Sequence, residues 1–86
     1  MSEKNLQASF SALVMSIASS AAVSLGLAPN PATGKVEKDK RMAQFSIDLL
    51  VILEQKTKGN LSDEERQLLS GVLADLQMKF LQMKEI

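Results

Sequence analysis

The chain contains no cysteine, no histidine, no tryptophan and no tyrosine. Without thiols or imidazoles it has no disulfides, no thiolate nucleophiles, no imidazole bases and no structural zinc of the usual Cys/His kind. Most familiar active-site designs are thereby excluded. Aromatic content is three phenylalanines, 3% of 86 residues, although 45% of the chain is hydrophobic. Aliphatic and methionine side chains must therefore fill any core. A chain of this length buries only about 60 to 65% of the surface its unfolded form exposes. With neither disulfide nor metal to staple the fold, self-association is a usual remaining source of stability.

An excess of one charge is missing as well. Ten basic and ten acidic residues leave a net charge of zero, so the positive field that nucleic-acid binding requires is absent. Lys35, Lys38, Lys40 and Arg41 form a basic group, but Glu37 and Asp39 interleave with them and cancel the field. General acid–base work needs positioned ionisable groups in a cleft. The candidates are Asp48 and Glu54 in the second apolar segment and Asp75 in the third, and carboxylates so placed mark the solvated edge of a helix. No catalytic, cofactor-binding or metal-ligating residue is assigned, and the chain is read as a non-enzyme.

Residues 5–34 carry no charged side chain at all. Within them, "FSALVMSIASSAAVSLGL" from Phe10 to Leu27 holds Ser11, Ser16, Ser19, Ser20 and Ser24, too polar for a comfortable membrane span. The small-residue run "IASSAA" resembles a signal-peptide cleavage site, but Glu3 cancels Lys4 where a positive start is needed. The reading adopted is a buried, serine-rich helix in a cytoplasmic protein. Membrane or envelope association through this uncharged helix is the alternative.

What is present divides into three periodic segments and two breaks. Phe10, Leu13, Val14, Ile17, Ala21 and Leu25 recur at helical spacing up to Gly26. Pro29, Asn30, Pro31 and Gly34 in "LAPNPATGK" then predict an extended loop. Asp39 is the expected N-cap of a second helix whose face reads Met42, Phe45, Leu49, Ile52 and Leu53. Ile47, Leu50 and Val51 make its middle apolar on nearly every side, which implies cover from more than one direction. The third segment carries Leu69, Val72, Leu73, Leu76, Phe80 and Met83 close to a heptad seam. Gly71 inside it implies close approach of another backbone.

Between the second and third segments lies "KTKGNLSDEE", Lys56 to Glu65. Lys56 and Lys58 suit the last turn of one helix, and Gly59 a left-handed closing residue. Ser62 and Glu65 have capping-box spacing, with Asp63, Glu64 and Glu65 placing negative charge on a new first turn. A phosphate loop would need a second glycine ahead of the lysine and a preceding strand, and neither is there. The stretch is a stop followed by a start, which makes its flanking helices antiparallel neighbours.

These signals predict an all-α chain: a three-helix bundle, or a helical hairpin plus a third helix, completed by oligomerisation. The helices are expected at about 6–26, 39–58 and 62–84 in one small domain, 1–86, with a proline-rich loop at 27–37. Phe10, Leu13, Ile17, Phe45, Leu49, Ile52, Leu69, Leu73, Leu76 and Phe80 are the expected core. Ala8, Ala12, Ser16, Ser20 and Ser24 fall at four-residue intervals, a stripe that permits close helix approach. It is expected to be covered by a helix of its own chain or of another subunit. The competing reading has the serines facing water.

The ordered stretches "FSALVMSIASSAAVSLG", "PNPATGK", "SIDLLVILEQKTKGNLSDEE" and "LLSGVLADLQMKF" resemble the small bacterial proteins catalogued as domain of unknown function 1844. The resemblance covers nearly the whole chain from Phe10, and Ile47 to Ser62 is its most specific piece. It implies a small helical bacterial protein with no assigned activity or cofactor, and it transfers no functional residues. The expected function is contact with protein, as a homo-oligomer with a dimer favoured or by docking on another protein partner, without nucleic acid or membrane.

Capping-box spacing and an acidic first turn coincide at one position, so Ser62→Ala should lower stability by about 1 kcal/mol. A shifted denaturation midpoint measures it.

Overall fold

A computed structural model describes residues 8–83 of the chain. Among them are three helices, α1 (Phe10–Ser24), α2 (Lys40–Lys56) and α3 (Asp63–Gln82), all packed against one another. There is no strand among the described residues, so the fold is all-α and of three-helix-bundle type.

Local chemistry sets each boundary. The Ser9 hydroxyl accepts from the Ala12 N–H at 3.0 Å, so α1 begins at Phe10 rather than near residue 6; residues 6 and 7 of the expected helix lie outside the described residues. At its far end Gly26 adopts φ +80°. The Leu27 N–H donates to the Ala22 carbonyl at 2.9 Å and the Gly26 N–H to Val23 at 3.0 Å, the paired closure of a helix that ends on a left-handed glycine. Asp39 caps α2 as expected, accepting from the Met42 N–H at 3.1 Å.

The connection from 25 to 39 is not the extended loop its prolines suggest. The Asn30 carbonyl accepts from the N–H groups of Thr33 (3.1 Å) and Gly34 (2.6 Å), while its own N–H donates to Lys35 at 2.8 Å. Its carboxamide oxygen takes the Ala32 N–H at 2.9 Å. Asn30 thus closes a tight turn, because a short polar side chain competes for backbone donors that the prolines leave without helix or strand partners. On either side Leu25 pairs with Lys38 in an antiparallel bridge, and the Asp39 N–H donates to the Ser24 carbonyl at 2.8 Å. The ends of the loop are pinned together, so α1 and α2 form an antiparallel hairpin.

The "KTKGNLSDEE" stretch behaves as punctuation. Lys56 is the last residue of α2, Thr57 its C-cap, and Gly59 turns the chain at φ +85°. Lys58 lies just beyond the helix rather than in its last turn. The Ser62 hydroxyl accepts from the Glu65 N–H at 3.1 Å, and the Glu65 carboxylate accepts from the Ser62 N–H at 2.9 Å. Both halves of the capping box are therefore formed.

The core is built from Val14, Ala18, Ala21 and Leu25 of α1 and the adjoining turn, Ala43, Ile47 and Leu50 of α2, and Leu69, Leu73 and Leu76 of α3. Ser46 is buried beside them. The α3 face is the expected one, and Phe10, Ile17 and Phe80 pack at its margin. The other expected core residues are not in it: Leu13, Phe45, Leu49 and Ile52 are 47%, 54%, 37% and 50% exposed. On α2 the buried stripe is the neighbouring one, rotated about the helix axis toward smaller residues, whereas on α1 the expected face holds, with Val14, Ala21 and Leu25 buried beside Ala18 and only Leu13 outside. Close packing explains the choice, since alanine and serine let two backbones approach where Phe45 would hold them apart.

Gly71 also departs from expectation. It is exposed, and a Cβ built there would find no heavy atom within 4 Å, so no backbone approaches it. Gly71→Ala should accordingly stabilise the chain by about 0.5 to 1 kcal/mol. Leu50, fully buried, should cost about 2 to 5 kcal/mol on truncation to Ala. Denaturant unfolding of the two variants checks both signs.

Candidate functional site

The rotation of α2 leaves its bulkiest stripe on the surface. Met42, Phe45, Leu49 and Ile52 recur at intervals of three and four, which places them along one helix face. Met42 is 48% exposed, close to the values of its neighbours. Beside this ridge runs a shallow groove of about 260 Å³ between α1 and α2, lined by Ser16, Ile17 and Ser20 on one side and Met42, Phe45, Ser46 and Leu49 on the other. Leu13 extends the α1 side by one turn. Every side chain in this surface is uncharged.

The small-residue stripe of α1 helps to form the groove. Ala8, Ala12, Ser16 and Ser20 are exposed and Ser24 is half-buried, so within the chain neither α2 nor α3 covers it. Short side chains at Ser16 and Ser20 leave the trough beside the ridge of α2. Ridge and trough are consequences of a single packing choice, because bulk on α2 and smallness on α1 lie on the same side of the hairpin.

The ionisable groups weighed from sequence do not converge. Asp48, Glu54 and Asp75 are exposed. Asp48 accepts from the Gln44 side chain at 2.8 Å, and Asp75 pairs with Lys79 at 2.9 Å one turn on. These are local contacts along helix surfaces. In the basic group Lys35, Lys38 and Arg41 are exposed, while the Lys40 ammonium lies 5.6 Å from the centre of the Phe80 ring, within cation–π range. Asp39 is committed to its cap.

A second groove, about 460 Å³, opens at the α2–α3 turn, where Glu54, Lys58 and Arg66 meet Leu61, Leu69 and Ser70. Its guanidinium is already engaged, since Arg66 pairs with Asp63 at 3.0 Å. Among the described residues no group of three or more carboxylates is placed to hold a metal ion, and no helix is long and apolar enough to cross a membrane.

The sequence carried a signal for the exposed ridge in the all-round apolar middle of α2. Two adjacent stripes of comparable hydrophobicity were legible, and choosing the larger residues for the core put the ridge inside. Smallness of the facing α1 stripe, Val14, Ala18 and Ala21, was the discriminating feature.

A family model described as a domain of unknown function, DUF1844, matches residues 7–82. That is nearly the whole chain, which belongs to this family. No curated protein and no solved structure matches it.

Phe45 is 54% exposed and outside the core, so Phe45→Ser should lower the stability of the dilute protein by no more than about 1 kcal/mol. Loss of a core-sized increment in thermal unfolding would return Phe45 to the interior.

Proposed function

We propose that this member of the family works through protein contact, as a small helical interaction or structural module that presents the α1–α2 apolar surface to another protein surface in the cytoplasm, without chemistry of its own. The observation that carries the reading is the contiguous, charge-free group Leu13, Met42, Phe45, Leu49 and Ile52, each between a third and just over half exposed. Scattered apolar residues are ordinary on protein surfaces, but a contiguous apolar patch beside a groove is the composition of an interface core. Phe45 stands at its centre as an aromatic anchor of the kind that dominates contact energetics.

Membrane crossing by α1 has little support, since 15 residues at 1.5 Å each reach about 22 Å, short of a hydrocarbon core of about 30 Å. Nucleic acid has no uniform basic face to bind. Asp39 and Glu37 lie among the lysines of the loop, and the patch itself contains no cation.

A photo-reactive residue in place of Phe45, activated in cells making the protein, should give a discrete protein adduct. The same residue in place of exposed Gln67, on the outer face of α3, should give none. No adduct from position 45 rejects the reading.

A further inference from the structure

Resting on that reading, we infer that the occupant of the α1–α2 surface is a second copy of this chain, docked about a two-fold axis so that each α2 ridge enters the other copy's α1–α2 trough. Self-complementarity is the first argument. A two-fold contact requires that one patch hold both the projection and the recess that receives it. Here Phe45 and Leu49 stand beside a trough walled by Ser16, Ile17 and Ser20, on the same side of the same hairpin. A rotation that brings one copy's ridge over the other's trough brings the reverse pair together as well.

Charge supplies the second argument. An isologous contact places equivalent residues near one another across the axis, so a charged patch would repel its own image. This patch contains no charge to repel, and α1 has none anywhere along its length. Arg41 and Asp48, exposed one turn either side of Phe45, border the patch with opposite signs and add no net charge at its edge.

Area supplies the third. Leu13, Met42, Phe45, Leu49 and Ile52, at their observed exposures, offer roughly 450 to 500 Å² of surface if each large side chain presents on the order of 200 Å² when free. Ser16 and Ser20, both exposed, add the floor of the trough. Two copies together then remove about 1,000 Å² from water, the low end of the range for a specific interface. A second copy seated there gives the exposed face of α2 the cover that an all-round apolar helix requires.

The test is the solution mass of the full chain by light scattering across the micromolar range, with circular dichroism on every variant. The unaltered protein should give twice its 9.4 kDa. Phe45→Glu and Ser20→Lys, on opposite walls of the trough, should each retain helicity and weaken self-association by roughly 100-fold or more, because each buries a charge without a partner. Gln67→Glu should leave the dimer intact. On dilution of the unaltered protein, methyl resonances of Ile17, Met42 and Leu49 should shift together, a readout independent of any substitution. A monomeric mass throughout the micromolar range overturns the inference, and so does a dimer that survives both charged substitutions without change. A monomer that still gives a discrete adduct at position 45 overturns only the second copy and leaves the contact reading standing. A monomer without that adduct removes both.

Discussion

Val14, Ala18 and Ala21 on α1 and Ala43, Ser46 and Ile47 on α2 are buried where the two helices pack, and the short reach of most of these side chains lets the two backbones come close. Dispersion and the exclusion of water both reward that approach, because dense contact between many small groups outweighs a few large groups held apart. Everything outward of the seam follows from it. Once Ala43 and Ser46 face α1, the helical repeat carries Met42, Phe45 and Leu49 around to the surface, and no rotamer change can bring them back. The third helix completes the core with Leu69, Leu73 and Leu76, larger residues that fill the space left beside an alanine-rich seam.

The seam needs its ends held, and the connections supply this. The Leu25–Lys38 bridge and the hydrogen bond from the Asp39 N–H to the Ser24 carbonyl tie the start of α2 to the end of α1, which limits sliding between them. Gly26 serves two purposes at that point. Its positive φ closes α1, and a Cβ there would lie 2.7 Å from the Lys38 side chain, so the glycine also leaves room for that side chain. At the other end the formed capping box starts α3 as soon as Gly59 has ended α2. Short connections leave few alternative arrangements for three helices, and that economy matters in a chain with no disulfide to restrict its unfolded state.

The exposed α1–α2 surface is the remainder of a packing problem. A chain of 86 residues cannot enclose two apolar faces of the same helix, and α2 has two. One is covered by α1 and α3, and the other is left as a ridge with an uncharged trough beside it. Ionisable side chains have been kept to the outer helix surfaces, where they make contacts such as Asp63–Arg66 and Asp75–Lys79 that contribute little to stability in water. The salt-laced outer surface of α3 contrasts with α1, which carries no charged residue along its length.

Local signals were readable because each depends on a few adjacent residues. Ser62 with Glu65, Asp39 before α2, and glycines 26 and 59 announce helix ends through hydrogen bonds and backbone angles that hardly involve the rest of the chain, and these held. The α3 core face was legible for a related reason, since only one of its stripes is strongly apolar. Helix phase on α2 was not legible in the same way. There two neighbouring stripes are apolar, hydrophobicity alone favours the bulkier one, and the decision rests on which side chains fit against a partner helix distant in sequence. Gly71 fails similarly: a glycine within a helix announces freedom from a Cβ, but whether another backbone uses the space is a tertiary fact, and here none does. The sequence by itself determined that there are three helices, that Asp39 and Ser62 cap two of them, and that the chain carries no cysteine or histidine. Only the tertiary structure decided that small residues meet in the α1–α2 seam and that Phe45 stands outside it, because packing is settled by the joint shape of two surfaces and neither surface specifies it alone.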